Sequence, residues 1–342
     1  CAARPARRRG PLADRGRRHA AAAAHAHRRH GQRPHLDAVR AVPRPHGDAA
    51  RAAALRSPQV VLLLLPPLRQ QAVPGRPVQR QELHREPVHV RRALGFGCGA
   101  LSAGSLVGAS GLMGLSPGTM SLISQLSVPR FSYCLTPFAE RKTSPMLFGA
   151  MADLRKYNTT GPIQTTAILR NPAMDTFYYY VPLVGLSLGT KRLRVPAASL
   201  AINPDGTGGT IVDSGSTMAH LAGKAFDAVK KAVLEAVKLP VFNGTVEDYE
   251  LCFAVPSGVA MAAVKTPPLV LHFDGGAAMA LPRDNYFQEP RAGLMCLAVA
   301  RSPEDLGAPI SIIGNVQQQN MHVLFDVHNQ KFSFAPTKCH DI

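Results

Sequence analysis

The densest chemistry in the chain lies in Gly208-Gly209-Thr210-Ile211-Val212-Asp213-Ser214-Gly215-Ser216-Thr217. The β-branched pair Ile211-Val212 favours a strand. Ser214-Gly215-Ser216 favours a tight turn, because Gly215 tolerates backbone angles closed to other residues. A strand ending there delivers one carboxylate, Asp213, into a loop of hydroxyl and N–H donors. Donors aimed at a carboxylate favour its ionised form. Such a group can accept hydrogen bonds or take up a proton during a reaction. An isolated Asp-Ser-Gly is most often a solvated strand-turn, so the elements around it decide its weight.

From residue 93 onward those elements are short strands, glycine-rich turns and few helices. Leu94-Gly95-Phe96-Gly97-Cys98-Gly99 leads to Gly108-Ala109-Ser110-Gly111-Leu112-Met113-Gly114-Leu115. Residues 116–126 predict a short helix, with Ser116 as N-cap and Pro117 at the first helical position. Strands are predicted at 131–135 and 146–149, and a hairpin or meander over 176–193 around Gly185 and Gly189. Residues 222–237 predict the one clear helix. Phe226, Val229, Val233 and Val237 share a face, Lys224, Lys230 and Lys231 lie off it, and Pro240 closes it. Short strands follow at 269–273, 295–299, 310–313, 321–326 and 331–335. The pattern is that of a mainly β fold.

These residues resemble the pepsin-like aspartic proteases, most closely the plant nepenthesin type. The matches are Phe96-Gly97-Cys98-Gly99, Ser110-Gly111-Leu112-Met113-Gly114-Leu115, Phe131-Ser132-Tyr133-Cys134-Leu135 and Tyr179-Tyr180-Val181-Pro182-Leu183. They continue with the 208–217 stretch, Ile312-Ile313-Gly314-Asn315, Gln317-Gln318-Gln319-Asn320, and Phe334-Ala335-Pro336 with Cys339. They stand in family order and cover essentially all of 93–342. The resemblance implies a bilobal pepsin-like acid protease fold, with 93–170 the remainder of an incomplete first lobe and 171–342 an intact second lobe. In each lobe of that family an Asp loop lies beside a hydrophobic-hydrophobic-Gly stretch. Here Asp213-Ser214-Gly215 has its partner, Ile312-Ile313-Gly314. The first lobe keeps Leu112, Met113 and Gly114 but lacks its Asp loop.

The resemblance also implies a chemistry. Two carboxylates a few ångströms apart do not both ionise comfortably, so they share a proton. One then activates a water and the other protonates the substrate carbonyl. Asp213 is the implied member of such a pair. Ser214 is expected to brace the two loops, Ser216 to donate to the Asp213 carboxylate, and Gly215 to permit the close approach. No second Asp is credible: Asp14-Arg15-Gly16 has the outline, but Arg15 replaces a small hydroxyl residue and no strand pattern precedes it. A lone Asp213 would simply ionise, so the chain as it stands is expected to lack peptidase activity. No flap residue is assigned. No cofactor and no metal are expected.

Six cysteines show no zinc-ligand spacing. The resemblance implies a Cys252–Cys296 bridge and suggests a second between Cys134 and Cys339, which leaves Cys98 without a partner. Asn158-Thr159-Thr160 and Asn243-Gly244-Thr245 are glycosylation sequons. They fit the secreted, apoplastic or vacuolar location that the resemblance implies, although no signal peptide is visible at Cys1. The apolar run 60–65 is too short to span a membrane and stops at Pro66-Pro67. Tyr178, Tyr179 and Tyr180 are expected to serve strand packing, and His220, His322 and His328 to be structural or solvated.

The formal net charge of +17 is unevenly placed. Residues 1–92 hold 20 arginines, no lysine and five acids, and eight of the 13 histidines. They show no sustained periodicity. A nucleic-acid-binding arm would want aromatic side chains to stack on bases, and this segment has none. Disorder is one expectation. A frame error is another. Reading the last two bases of each codon with the first of the next, residues 29–40 permit Asp-Thr-Gly-Ser-Asp-Leu-Thr-Trp-Thr-Gln-Cys, and 27–29 permit Ile-Val before it. That peptide resembles the first catalytic motif of the same family. Residues 1–92 are therefore expected to be frameshifted or misjoined and disordered as they stand.

Three functions compete. The first is an aspartic endopeptidase acting as a monomer on a polypeptide held between lobes. The second is a non-catalytic protein of the same fold that binds a glycosidase, as the cereal xylanase inhibitors do. The third and weakest is a nucleic-acid-binding protein, which rests on 1–92 alone. The intact Asp213-Ser214-Gly215-Ser216 favours the first.

Overall fold

The computed structural model of the chain describes residues 38–40, 94–95, 111–173, 177–303 and 309–342. The expectations for nearly all of 1–92, and for Cys1, Cys98 and Ser110, lie outside the described residues. The described part is mainly β, with two α-helices and several single 3-10 turns.

A five-stranded sheet carries the Asp213 loop. Its order is Val299–Arg301, Ala219–Leu221, Ser311–Ile313, Thr210–Val212, Tyr179–Tyr180. The central pair is parallel, with Ile312 opposite Ile211 and Ile313 opposite Val212. A parallel pair needs a long crossover, and here the chain between the two strands carries the long helix and every strand from Ala219–Leu221 to Val299–Arg301. Three of the four predicted residues on one face of the long helix, Phe226, Val229 and Val233, are buried in α2 (Gly223–Ala236), and Val237 is its buried C-cap.

A second five-stranded sheet is entirely antiparallel. It orders Met146–Phe148, Arg130–Cys134, Met321–Asp326, Lys331–Pro336 and Gln164–Ala167. Strands from the middle of the chain thus share a sheet with strands from its end. Their inner faces build an aromatic core in which Phe131 stacks on Phe325 at 4.9 Å and Tyr179 meets Phe325 at 4.6 Å. The Cys134–Cys339 disulfide fastens the same region. There are also a four-stranded sheet (Ala278–Leu281, Leu269–Phe273, Leu183–Leu188, Lys191–Arg192) and a three-stranded one (Cys252–Ala254, Leu294–Leu297, Phe287–Gln288). Cys252 and Cys296 are bonded directly across two strands of the latter. Ala38–Arg40 pairs antiparallel with Leu112–Gly114.

Two local expectations are corrected. The helix predicted over 116–126 is a single turn, α1 (Leu122–Leu126), capped by Ser121, whose side chain accepts from the Ser124 N–H at 3.2 Å. Gly118 disfavours helix, and its carbonyl instead closes a turn with the Ser121 N–H. Within 176–193 the break falls at Pro182, which has no N–H to give a ladder. Gly185 lies inside the Leu183–Leu188 strand, and only Gly189, at φ +58°, makes the hairpin turn.

Candidate active site

The approach to Asp213 depends on its two leading glycines. Gly208 and Gly209 have φ of +71° and +85°. A Cβ on Gly209 would stand 2.6 Å from Ile202 Cγ1 and 3.1 Å from the Tyr180 ring. Both conditions exclude other residues. The strand then runs buried through Thr210–Val212 and releases Asp213 half-buried.

Both carboxylate oxygens of Asp213 accept a hydrogen bond from the loop that follows. The Gly215 N–H donates to Oδ1 at 2.7 Å, and the Ser216 hydroxyl donates to Oδ2 at 2.7 Å. These charge-assisted contacts hold the carboxylate in one orientation. The backbone is tied as well: the Asp213 N–H donates to the Ile313 carbonyl at 3.1 Å. Further on, Asn315 N–H donates to the Ser216 carbonyl at 2.7 Å and Val316 N–H to the Thr217 carbonyl at 3.0 Å. Residues 213–217 and 313–316 thus run as two joined loops. The Ser214 carbonyl accepts from Asn315 Nδ2 at 3.4 Å.

Gly314 sets the spacing of these loops. A Cβ there would lie 2.5 Å from the Met218 carbonyl carbon and oxygen. Ile312 is partly exposed while Ile313 and Gly314 are buried. The other hydrophobic-hydrophobic-Gly stretch, Leu112, Met113 and Gly114, forms a short strand with Leu112 exposed. The Leu115 carbonyl that follows accepts from the Tyr179 hydroxyl at 2.8 Å. Among the described residues no second aspartate faces Asp213 through any hydrogen bond.

His220 lies three residues beyond the loop, opposite Ile312. Burial pushes its imidazole below the ordinary histidine value, opposed by a backbone hydrogen bond at Met218 and by the charges of Asp213 and Asp248. His322 is fully buried and bonded to the Ser132 hydroxyl at 3.0 Å, and His328 is exposed. Both sequon asparagines, Asn158 and Asn243, are exposed in loops. Among the described residues no three His, Cys, Asp or Glu side chains converge in a metal-binding arrangement, and no helix is long and apolar enough to cross a membrane.

A layer of buried amides behind the loop was not assigned any role from the sequence. Gln318 Nε2 donates to the Ile313 and Gly314 carbonyls at 2.9 and 3.1 Å, and its Oε1 accepts from the Tyr133 hydroxyl. Asn285 Nδ2 donates to the carbonyls of Val316 and Gln319. Gln317 Nε2 donates to those of Asn285 and Ala298. The available signal was the run Gln317-Gln318-Gln319 between apolar strands. Amides buried there must find partners.

Comparison with known proteins agrees with this geometry. Two family models match, "Xylanase inhibitor N-terminal" over residues 78–150 and "Xylanase inhibitor C-terminal" over 178–336. Aspartic proteinase nepenthesin-1 of Nepenthes gracilis is 39% identical over 71% of this chain and 54% of its own length. Nepenthesin-2 of the same plant is 36% identical over 72% of this chain and 54% of its own length. The chain therefore spans about half the length of the curated relatives it matches. The crystal structure of edgp superposes with a TM-score of 0.59 at 18% identity, covering 69% of this chain and 63% of that one. At that identity the superposition bears on the fold alone. Sequence identity, the paired family models and the shared fold converge: the chain belongs to the pepsin-like plant aspartic protease family.

Proposed function

We propose that the protein derives from a secreted aspartic endopeptidase in which Asp213 supplies one carboxylate of the catalytic pair. The observation that carries this reading is the Asp213 carboxylate held on both oxygens, by the Gly215 N–H and the Ser216 hydroxyl, at 2.7 Å each. In the complete pair, one carboxylate draws a proton from a water while the other protonates the scissile carbonyl, and the titration belongs to the pair. Ser214 braces the second loop against the first, and Leu112-Met113-Gly114 and Ile312-Ile313-Gly314 flank the two Asp loops. A polypeptide lies between the lobes, and the enzyme works as a monomer. Asn158 and Asn243 carry glycans when the chain passes through the secretory path. With Asp213 as its sole credible catalytic carboxylate, the chain as it stands does not cleave peptides.

The test is hydrolysis of denatured globin at acid pH, with and without a pepstatin-type inhibitor. No cleavage is expected from the chain as it stands. Cleavage is expected after the reading frame across 29–40 is shifted, and Asp213→Asn should abolish it. Inhibitable cleavage by the unaltered chain would overturn the view that one carboxylate is missing.

A second reading is favoured by the descriptions of the two matching family models, which name a xylanase inhibitor. In it, the protein binds a glycosidase and cleaves nothing. Inhibition of a fungal xylanase by the unaltered chain, unaffected by Asp213→Asn, would support it over the first.

A further inference from the structure

Gln318 lies at full burial with every polar atom committed. Its amide nitrogen spans two consecutive carbonyls, those of Ile313 and Gly314. The first of these also accepts the Asp213 N–H. Its amide oxygen takes the Tyr133 hydroxyl, from a strand of the other five-stranded sheet. A continuous path of hydrogen bonds thus runs from Tyr133 through Gln318 and the Ile313 carbonyl to the backbone of Asp213. An apolar side chain of similar volume would fill the same space but leave the Gly314 carbonyl without this donor.

We propose that Gln318 is a positioning residue for Asp213, fixing the loop that faces it and coupling that loop to the Tyr133 strand. The catalytic meaning of this rests on the function proposed above; the coupling itself does not. Only an amide suits the place: it gives two donors to adjacent carbonyls and one acceptor to a phenol. A carboxylate would set charge against two carbonyl oxygens, and a protonated carboxyl would restore a single donor.

The test is amide hydrogen exchange by NMR on the whole chain, which needs no turnover. In Gln318→Met, exchange at Asp213, Gly215 and Asn315 should accelerate roughly tenfold or more, the size expected for the three buried hydrogen bonds lost with the amide. Ala254, in the three-stranded sheet, whose N–H donates to the Pro240 carbonyl, should keep its wild-type rate. In Gln318→Glu the acceleration should shrink as the pH is lowered from 8 to 4 and the carboxyl takes up its proton. Tyr133→Phe removes only the phenol and should give a smaller acceleration at the same three amides, which keeps the test open if the Gln318 variants do not fold. Unchanged exchange at those amides, equal acceleration at Ala254, or a Gln318→Glu variant matching Gln318→Met at every pH would overturn the proposal. Because exchange is read separately from cleavage, a failed coupling and a failed endopeptidase reading are distinct results.

Discussion

Gly314 and His322 show how single residues constrain this protein. A Cβ at Gly314 would press into the Met218 backbone at 2.5 Å, and backbone has nowhere to swing. Gly314→Ala should therefore cost about 1–3 kcal/mol, the usual range of overpacking, in urea denaturation. It should also part the two loops that hold Asp213. His322 acts through pH. Burial lowers its imidazole from 6.5 to about 4. Between those values the unfolded chain binds a proton that the folded chain refuses. Stability contributed by neutral His322 is thus complete above pH 6.5 and is lost as the pH falls towards 4. At about 1.4 kcal/mol per pH unit, this loss amounts to roughly 3 kcal/mol. In denaturation at pH 7 and pH 4, His322→Asn should show an acid loss smaller by about that amount. An equal acid loss in both proteins would refute the assignment.

At the scale of elements, the two disulfides and the long helix do different work. Cys252–Cys296 closes a separation of 44 residues within one small sheet, and Cys134–Cys339 closes 205. Chain-entropy reasoning gives each on the order of 2–5 kcal/mol and the larger share to the longer loop. Paired Cys→Ser replacement at 134 and 339 should therefore lower the denaturation midpoint more than replacement at 252 and 296. In α2 the ring of Phe226 is fully buried, with the Lys230 ammonium at 5.5 Å and the Arg301 guanidinium at 5.1 Å from its centroid. Phe226→Ala should cost about 3–5 kcal/mol, mostly as lost burial. The heptad-like spacing of Phe226, Val229 and Val233 made this face readable in advance. The failure at 116–126 has an equally local cause. Ser116 and Pro117 predict a helix start, but Gly118 directly after them lets a turn form instead.

The whole molecule is knitted by a sheet that ignores chain order. Arg130–Cys134 lies between Met146–Phe148 and Met321–Asp326, and Lys331–Pro336 lies against Gln164–Ala167. A protease site inserted just after Arg170 should therefore cut the chain without parting the pieces. They should co-elute on size exclusion, stay joined on a non-reducing denaturing gel through Cys134–Cys339, and separate only when reduced. Fragments that separate under native conditions would contradict the shared sheet. The same interleaving carries the Tyr133 to Gln318 contact, which joins residues 185 apart in sequence.

Local pattern alone was enough to mark the mainly β class, the long helix, the Asp213 strand-turn and the family motifs, because each rests on propensities and spacings within a few residues. The uneven charge was also legible there. Tertiary structure alone decided which carbonyls meet which amides. Nothing near Gln318 in sequence distinguishes its side chain from those of Gln317 and Gln319; burial against Tyr133 and the Asp213 loop does. The crowding at Gly314 and the burial of His322 likewise come from contacts with residues distant in sequence. Packing and desolvation act between neighbours in space, and those neighbours exist only once the chain has folded.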